Sequence, residues 1–466
     1  MNYIRLPRII LSVILLSICY WTYLALNTRM EIIFDSISYE DLGRLLSTQG
    51  FNEYFRSGPN REPIYPLLIA SAISIGKITG LAYTKIMAGF GVLILFLTQL
   101  LTYCILNHLK IRPWICATAL AYLGLSPAIN NTAFSLYSEI AAYPFILGII
   151  LVTHMLWQAM LAYQIKKACL TGALLGLLFV GATLVKAIFE CIFPLYILIL
   201  SGTFLLAHQR QLKKQLLPLL IALLTALTFF YAPIINYKIQ NKKWNGNFSI
   251  TDRGPWALYG NTARRMEPLT KQRLLTALAY APGEGLCRSL YGASACDFWS
   301  FRQSDAFGMT KLSELHNQQL PQKQIDSTLL KLSLQKVLEN PFQYFLLTGV
   351  EGIKMFFWES TQIGFVTYPP WLSQIYQHTL FKNILRLILG LITAGAFFYQ
   401  SYLFFKKPTL MIGAILLTII LYIGFFSFFF ILTRYALPIA PLYIILIASS
   451  VQAFWNSPKE CSKKIN

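Results

Sequence analysis

Apolar runs of about bilayer-spanning length recur along this chain, separated by short basic loops and two long polar stretches. The runs predict ten transmembrane helices: roughly Pro7–Leu26, Lys85–Asn107, Pro113–Ile129, Ala133–Tyr163, Ala168–Phe189, Cys191–Ala207, Gln215–Asn236, Lys382–Tyr402, Pro408–Phe430 and Tyr435–Ala453. A further run, Pro63–Gly80, is short, begins with Pro63 and Pro66, and carries Gly76 and Lys77 near its end. It reads as a re-entrant or interfacial helix inside a first outer loop from about Thr28 to Thr84. The second polar stretch, Asn236–Phe381, contains an amphipathic segment at Pro341–Trp358 placed on the outer membrane surface. Three parts follow: a membrane module over 1–236, a large outer region over 237–381, and C-terminal helices with a short tail over 382–466. No internal repeat is visible.

Composition agrees with that pattern. Of 466 residues, 56% are hydrophobic and 12% charged, about half the charged fraction of soluble domains. The class is an all-α polytopic membrane protein. Met1–Asn27 has a basic start but no small-x-small cleavage site, so it reads as the first transmembrane helix. The net charge is +20, and its clusters fall in short loops: Arg5/Arg8, Lys110/Arg112, Lys166/Lys167, Arg210/Lys213/Lys214, Lys406/Lys407 and Lys459/Lys463/Lys464. Treating Pro63–Gly80 as embedded puts all six on the cytoplasmic side, whereas a full crossing would put five outside. Both termini are then cytoplasmic. The outward face is basic as well, which suits a lipid phosphate, although attraction to lipid head groups in general explains it nearly as well. Nucleic acid is not an expected partner.

Five of the eight cysteines (Cys19, Cys104, Cys116, Cys169, Cys191) sit in or at the ends of membrane helices, and Cys461 is in the tail. Cys287 and Cys296 fall together in the outer region. In an oxidising compartment they close a small disulfide loop; two partly buried free thiols are the alternative.

The ionisable residues of the first outer loop are the candidate chemistry, because charges held at a bilayer surface between helices usually serve a site. Asp35 opens SISYEDLGRLL, in which Ile37, Leu42, Leu45 and Leu46 share one helix face while Ser36 and Glu40 lie on another. Asp35 is placed either as the N-cap of that helix or as a catalytic carboxylate. Arg61 precedes the embedded helix, where it binds a phosphate or snorkels to anchor the helix end, with Glu62 as its counter-ion. Lys186 ends an otherwise small and apolar helix, with Glu190 at i+4 its nearest candidate partner. Glu139 starts a helix, where the dipole favours a carboxylate whatever its role, and is also a candidate second acid. No His/Cys or HExxH metal cluster occurs, and the five histidines are scattered. A divalent ion on Asp35, Glu62 or Glu139 is compatible with the sequence but nothing requires one. No nucleotide-type glycine loop and no Ser/His/Asp arrangement is present.

Four stretches in order resemble the GT-C superfamily of membrane glycosyltransferases, especially the branch of protein mannosyltransferases and the lipid A aminoarabinose transferase (glycosyltransferase family 39-like). They are DSISY after the first helix, REPIYPLLIA opening the embedded helix, SPAINNTAFSLYSEIAAYPF, and TRYALPIAPLYIILIA; TDRGPWALYGN after the seventh helix also looks like a family stretch. The resemblance implies a GT-C fold and transfer, with inversion, of a sugar from a polyprenyl-monophosphate donor to a lipid, glycan or protein acceptor on the periplasmic face of a Gram-negative inner membrane. It implies Asp35, with Glu139 as second candidate, for the catalytic carboxylate, and Arg61 and Lys186 for the donor phosphate. Tyr39, Glu40, Glu62, Tyr65 and Arg434 are candidates to touch the acceptor or support the site. No cofactor is required, since cationic side chains can supply the charge a monophosphate donor needs. Ser36 stands where the family often has a second acid, so Glu40, Glu62 and Glu139 compete for that role. An O-antigen ligase or polymerase acting on a diphosphate-linked glycan is an alternative that DSISY directly after the first helix disfavours. A transporter or flippase of lipid-linked substrates is another, in a class that often shows paired repeats and interrupted helices.

Overall fold

Runs of Leu, Ile, Phe and Ala in an apolar surrounding must satisfy their backbone N–H and C=O groups within the segment, and the helix does so. The computed structural model describes residues 7–58, 60–207, 212–359, 365–429 and 431–462. Of the positions read above, Arg5, Arg210, Phe430, Lys463 and Lys464 lie outside those residues, as do the side chains of Lys213, Lys459 and Cys461.

The membrane module is built from α1 (Arg8–Asn27), α2 (Asp35–Arg56), α3 (Ile64–Thr79), α4 (Tyr83–His108), α5 (Pro113–Leu125), α6 (Pro127–Phe134), α7 (Glu139–Leu161), α8 (Ile165–Val185), α9 (Phe189–Ala207) and α10 (Leu212–Asn245). The polar region holds α11 (Gly254–Arg265), α12 (Lys271–Tyr280), α13 (Glu284–Tyr291), α14 (Ala293–Asp297), α15 (Phe301–Asn317), α16 (Gln322–Glu339), α17 (Pro341–Gly352) and α18 (Pro370–Gln377). The chain closes with α19 (Thr379–Lys406), α20 (Leu410–Phe428) and α21 (Ala440–Ser462). A two-residue antiparallel pairing of β1 (Arg29–Met30) with β2 (Val366–Thr367), Arg29 opposite Thr367, ties the first polar loop to the second.

Among the described residues, nine helices are long and apolar enough to cross a bilayer: α1, α4, α7 to α10, α19, α20, and α21 with the turn before it. The protein is a multi-pass helical membrane protein. The short run expected to be embedded is α3, whose 16 residues reach only about 24 Å, less than a hydrocarbon core of about 30 Å.

Two expected helices differ. The run over Pro113–Ile129 is cut at Ser126 (φ −53°, ψ 121°) into α5 and α6. Pro127 removes a donor there, and the buried Glu359 caps the new helix start, accepting from Ala128 N at 2.9 Å and Ser126 Oγ at 2.8 Å. The run from Ala133 becomes a membrane helix only at Glu139, because Ala133 belongs to α6. The amphipathic stretch Pro341–Trp358 holds as far as Gly352. Beyond it the chain turns inward through a 3-10 turn, Ile353–Phe356, and Trp358 is fully buried, its Nε1 donating to Thr393 Oγ1 of α19 at 3.2 Å.

Close backbone approach and a few internal hydrogen bonds hold the bundle, as expected where lipid offers no hydrophobic drive between helices. Gly172 and Gly176 let α8 lie directly on α10: a Cβ on either would stand 2.6 Å and 2.5 Å from the carbonyl oxygens of Ala222 and Ala226. Trp21 of α1 donates to Gly124 O at 2.9 Å, and Gln99 of α4 donates to Ser17 Oγ and Leu120 O, each at 2.9 Å. At one end of the bundle Lys85 binds two of the last carbonyls of α1 (Ala25 and Leu26 at 3.1 and 2.8 Å) and that of Thr28 just beyond it at 3.2 Å, where a cation complements the helix dipole. At the other, the Arg112 amide donates to Gln452 of α21. In the polar region Cys287 and Cys296 are joined in a disulfide, Cα–Cα 5.9 Å.

Candidate functional site

The site lies at the end of the bundle where α1 stops and α7 starts. Asp35 is the first residue of α2, and it is not the helix cap. Ser36 holds the first turn instead, its Oγ accepting from Ile33 N at 2.7 Å and donating to Ile33 O at 2.6 Å. Phe34, between them, holds φ 53°, a left-handed value uncommon for a residue with a bulky side chain and worth about 1–3 kcal/mol of local strain. Of the expected apolar face, Leu42 and Leu46 are buried against α3 and Leu45 is half-buried, but Ile37 is exposed.

With the turn held elsewhere, the Asp35 carboxylate points at arginines from three distant stretches. Arg61, in the loop before α3, donates from Nη2 to Oδ1 at 2.6 Å. Arg434, in the 3-10 turn Thr433–Ile439 before α21, donates from Nη2 to Oδ2. Arg253, just before α11, places Nη1 at 3.9 Å from Oδ1. Aromatic faces seat two of these cations: Arg61 lies 4.8 Å from the ring centre of Tyr39, and Arg434 the same distance from that of Tyr137. Arg61 is buried and turned inward, so it does not snorkel. Its backbone carbonyl accepts from Tyr54 OH at 2.9 Å, which fixes the loop.

The electrostatics follow from the count. Three guanidiniums face one carboxylate, with Glu139 acting on Arg434 and Glu62 on Arg61 and Arg253 from further away; cations outnumber carboxylates. Burial works against an ionised Asp35, but Arg434 and Arg61 outweigh it and hold the carboxyl well below the usual carboxylate range. Burial, and after it the neighbouring Arg61, pushes the Arg253 guanidinium below its ordinary value. Such a group of guanidiniums attracts anions.

Two expected ion pairs are different in the structure. Lys186 does not pair with Glu190. The chain leaves α8 at Lys186 in an extended conformation, and its Nζ meets Glu139 Oε1 at 3.1 Å; Glu190 instead pairs with Lys238 of α10. Glu62 is not the counter-ion of Arg61. It accepts from the amide of Ala187 at 2.9 Å, tying the loop before α3 to the break after α8. Glu139 begins α7 as expected and is buried, with Oε2 unpartnered among the described residues.

The other candidates frame the cluster. Tyr39 OH shares a 2.9 Å hydrogen bond with Ser138 Oγ, and Tyr65 OH donates to Ser135 O at 3.2 Å, so both bind the segment before α7. Glu40 faces away, accepting from Arg44 at 2.6 Å and from Tyr83 OH at 2.7 Å. Asp35 and Glu139 are thus each engaged by cations, a poor setting for a divalent ion. Among the described residues no group of three His, Cys, Asp or Glu side chains comes together. Arg253 and Tyr137 are the members that sequence reasoning missed. Both lie in stretches singled out as motifs, and an unexplained basic residue in TDRGP was the available signal for Arg253.

No protein-family model matches this chain, and no curated protein sequence matches it.

Proposed function

We propose that the protein is a GT-C-type glycosyltransferase that moves a sugar from a polyprenyl-monophosphate donor to an acceptor hydroxyl or amine, with inversion. The observation that carries the reading is the convergence of Arg61, Arg253 and Arg434 on Asp35, with Lys186 and Glu139 set behind them. Cleaving the donor turns a singly charged phosphodiester into a phosphate monoester carrying about −1.5 to −2 charge at neutral pH. A cluster in which cations outnumber carboxylates favours the state in which that charge has grown, which is what lowers a barrier. In the step itself the acceptor atom attacks the anomeric carbon, the bond from that carbon to the phosphate oxygen breaks, and the acceptor proton passes to the Asp35 carboxylate.

The topology that suits this reading has ten crossings. Lys85 at the start of α4 and Glu139 at the start of α7 lie at the same end of the bundle as Asp35, so the chain returns between them through α5 and α6, the broken helix supplying the tenth passage. By the positive-inside rule, the basic loops at the opposite end support a reading with both termini in the cytoplasm and the site on the periplasmic face of an inner membrane. The acceptor is a lipid, a glycan or a protein, and the region over 237–381 shapes its choice.

The test is transfer from a labelled polyprenyl-phosphate sugar by purified protein, beside Asp35→Asn and Arg61→Ala. Turnover by wild type, its loss in Asp35→Asn with donor still bound, and weakened donor binding in Arg61→Ala are expected. Normal turnover by both variants would remove the assignment of this site.

A further inference from the structure

We propose that in the free protein Asp35 sits in the seat of the donor phosphate, and that the arriving phosphate displaces it and so releases the catalytic carboxylate for the acceptor. The inference rests on the transferase reading and adds an order to it: donor binds first, and the base comes into being on donor binding.

Both oxygens of Asp35 are already taken, Oδ1 by Arg61 at 2.6 Å and Oδ2 by Arg434, and Arg253 closes on Oδ1 from a third side at 3.9 Å. A carboxylate held by a guanidinium hydrogen bond on each oxygen is a poor base for an acceptor's proton, because the arginines favour its ionised form. These arginines also have no other carboxylate within ion-pair distance among the described residues, so a phosphate that takes the N–H groups of Arg61 and Arg434 now on Asp35 does so in competition with it. A donor phosphodiester can take the same seat: like the carboxylate it carries one negative charge over two non-bridging oxygens, the pattern that guanidinium forks bind bidentately.

Letting go costs Asp35 little beyond its ion pairs. The first turn of α2 is held by Ser36 on Ile33, not by Asp35. Asp35 can therefore swing out without unwinding the helix. Because the arginines come from the loop before α3, the entry to α11 and the turn before α21, one phosphate would gather all three stretches around the reacting bond. With its arginines occupied by phosphate, the freed carboxylate lies next to the bond to be broken and regains basicity.

The test exploits an outcome opposite to that of an ordinary ligand residue. Binding of a short-chain polyprenyl monophosphate is measured for wild type, Asp35→Asn and Arg61→Ala in the same detergent. Asp35→Asn, lacking the competing charge, binds at least about tenfold more tightly, the equivalent of one charge-assisted hydrogen bond; Arg61→Ala binds more weakly. Equal or weaker binding by Asp35→Asn, with wild type binding normally, overturns the displacement and leaves the transferase reading standing. No binding by any of the three proteins overturns both. A second measurement uses unaltered protein and so does not depend on a variant folding. Carbodiimide labelling of Asp35, which needs a protonatable carboxyl, rises when the monophosphate is added. Unchanged or reduced labelling in the bound state overturns the proposal.

Discussion

The pair between Lys186 and Glu139 offers the sharpest test of how this site is assembled. The two side chains are only 13% and 3% accessible, and Nζ lies 3.1 Å from Oε1. At that distance, with an effective dielectric of about 20, the attraction is about 5 kcal/mol. Removing one partner forfeits it and leaves a buried charge uncompensated, which typically costs about 3–5 kcal/mol. Glu139→Gln and Lys186→Met are each expected to lose that much, whereas the double variant, with no orphaned charge, stays within about 1 kcal/mol of wild type. Reversible unfolding in mixed micelles reads all four corners of this double-mutant cycle. The same proteins then separate structure from chemistry, because the double variant restores the fold without restoring the cation that the transferase reading puts near the leaving phosphate. Its transfer rate should remain at least about tenfold below wild type, a loss of about 1.4 kcal/mol of transition-state stabilisation. Additive single effects would refute the pairing, and full activity in the double variant would refute a role for Lys186 at the phosphate.

Two further outcomes follow from the polar region. Glu351 is buried between Arg264 at 2.5 Å, Arg265 at 2.7 Å and Lys354 at 3.0 Å, and burial, only partly offset by Glu351, pushes Lys354 down to about 8. Between about pH 8 and the ordinary lysine value of about 10.4 the unfolded chain holds a proton that the native one has released. Stability therefore rises with pH across that window, by up to about 1.4 kcal/mol per unit, and is lost again as pH falls through 8; Lys354→Met should flatten the rise in unfolding measured against pH. The disulfide between Cys287 and Cys296, nine residues apart, closes a small loop worth about 2.5 kcal/mol on chain-entropy grounds. Replacing both cysteines by serine should lower the unfolding midpoint accordingly, with donor binding unchanged, and an unaltered midpoint under reducing conditions would count against that value.

Much of the architecture was legible along the chain. Hydropathy runs mark membrane helices because a backbone in lipid has few ways to satisfy itself, and the shortness of the run sets α3 apart from the nine long apolar helices among the described residues. Asp35 and Arg61 stood out as charges flanking apolar segments, Arg434 through the resemblance carried by TRYALPIAPLYIILIA, and Cys287 and Cys296 as two thiols close in sequence within a polar stretch. What failed was the choice of partners. Local spacing offered Glu190 to Lys186, Glu62 to Arg61 and a helix cap to Asp35, and each of those groups has a different neighbour in the fold.

Helix periodicity and apolar composition act over one to a few turns, so the order of residues was enough to fix which segments are helical and which are polar. Ion pairs in a bundle form wherever packing brings helix ends together, at any separation along the chain. Arg434 reaches Asp35 across 399 residues, and Arg253 arrives from the entry to α11. The extended break at Lys186, the glycines that seat α8 on α10 and the interruption at Ser126 set those ends in place. That three arginines share one carboxylate could emerge only once the helices were packed, because the burial that makes such a cluster strong is itself a product of packing.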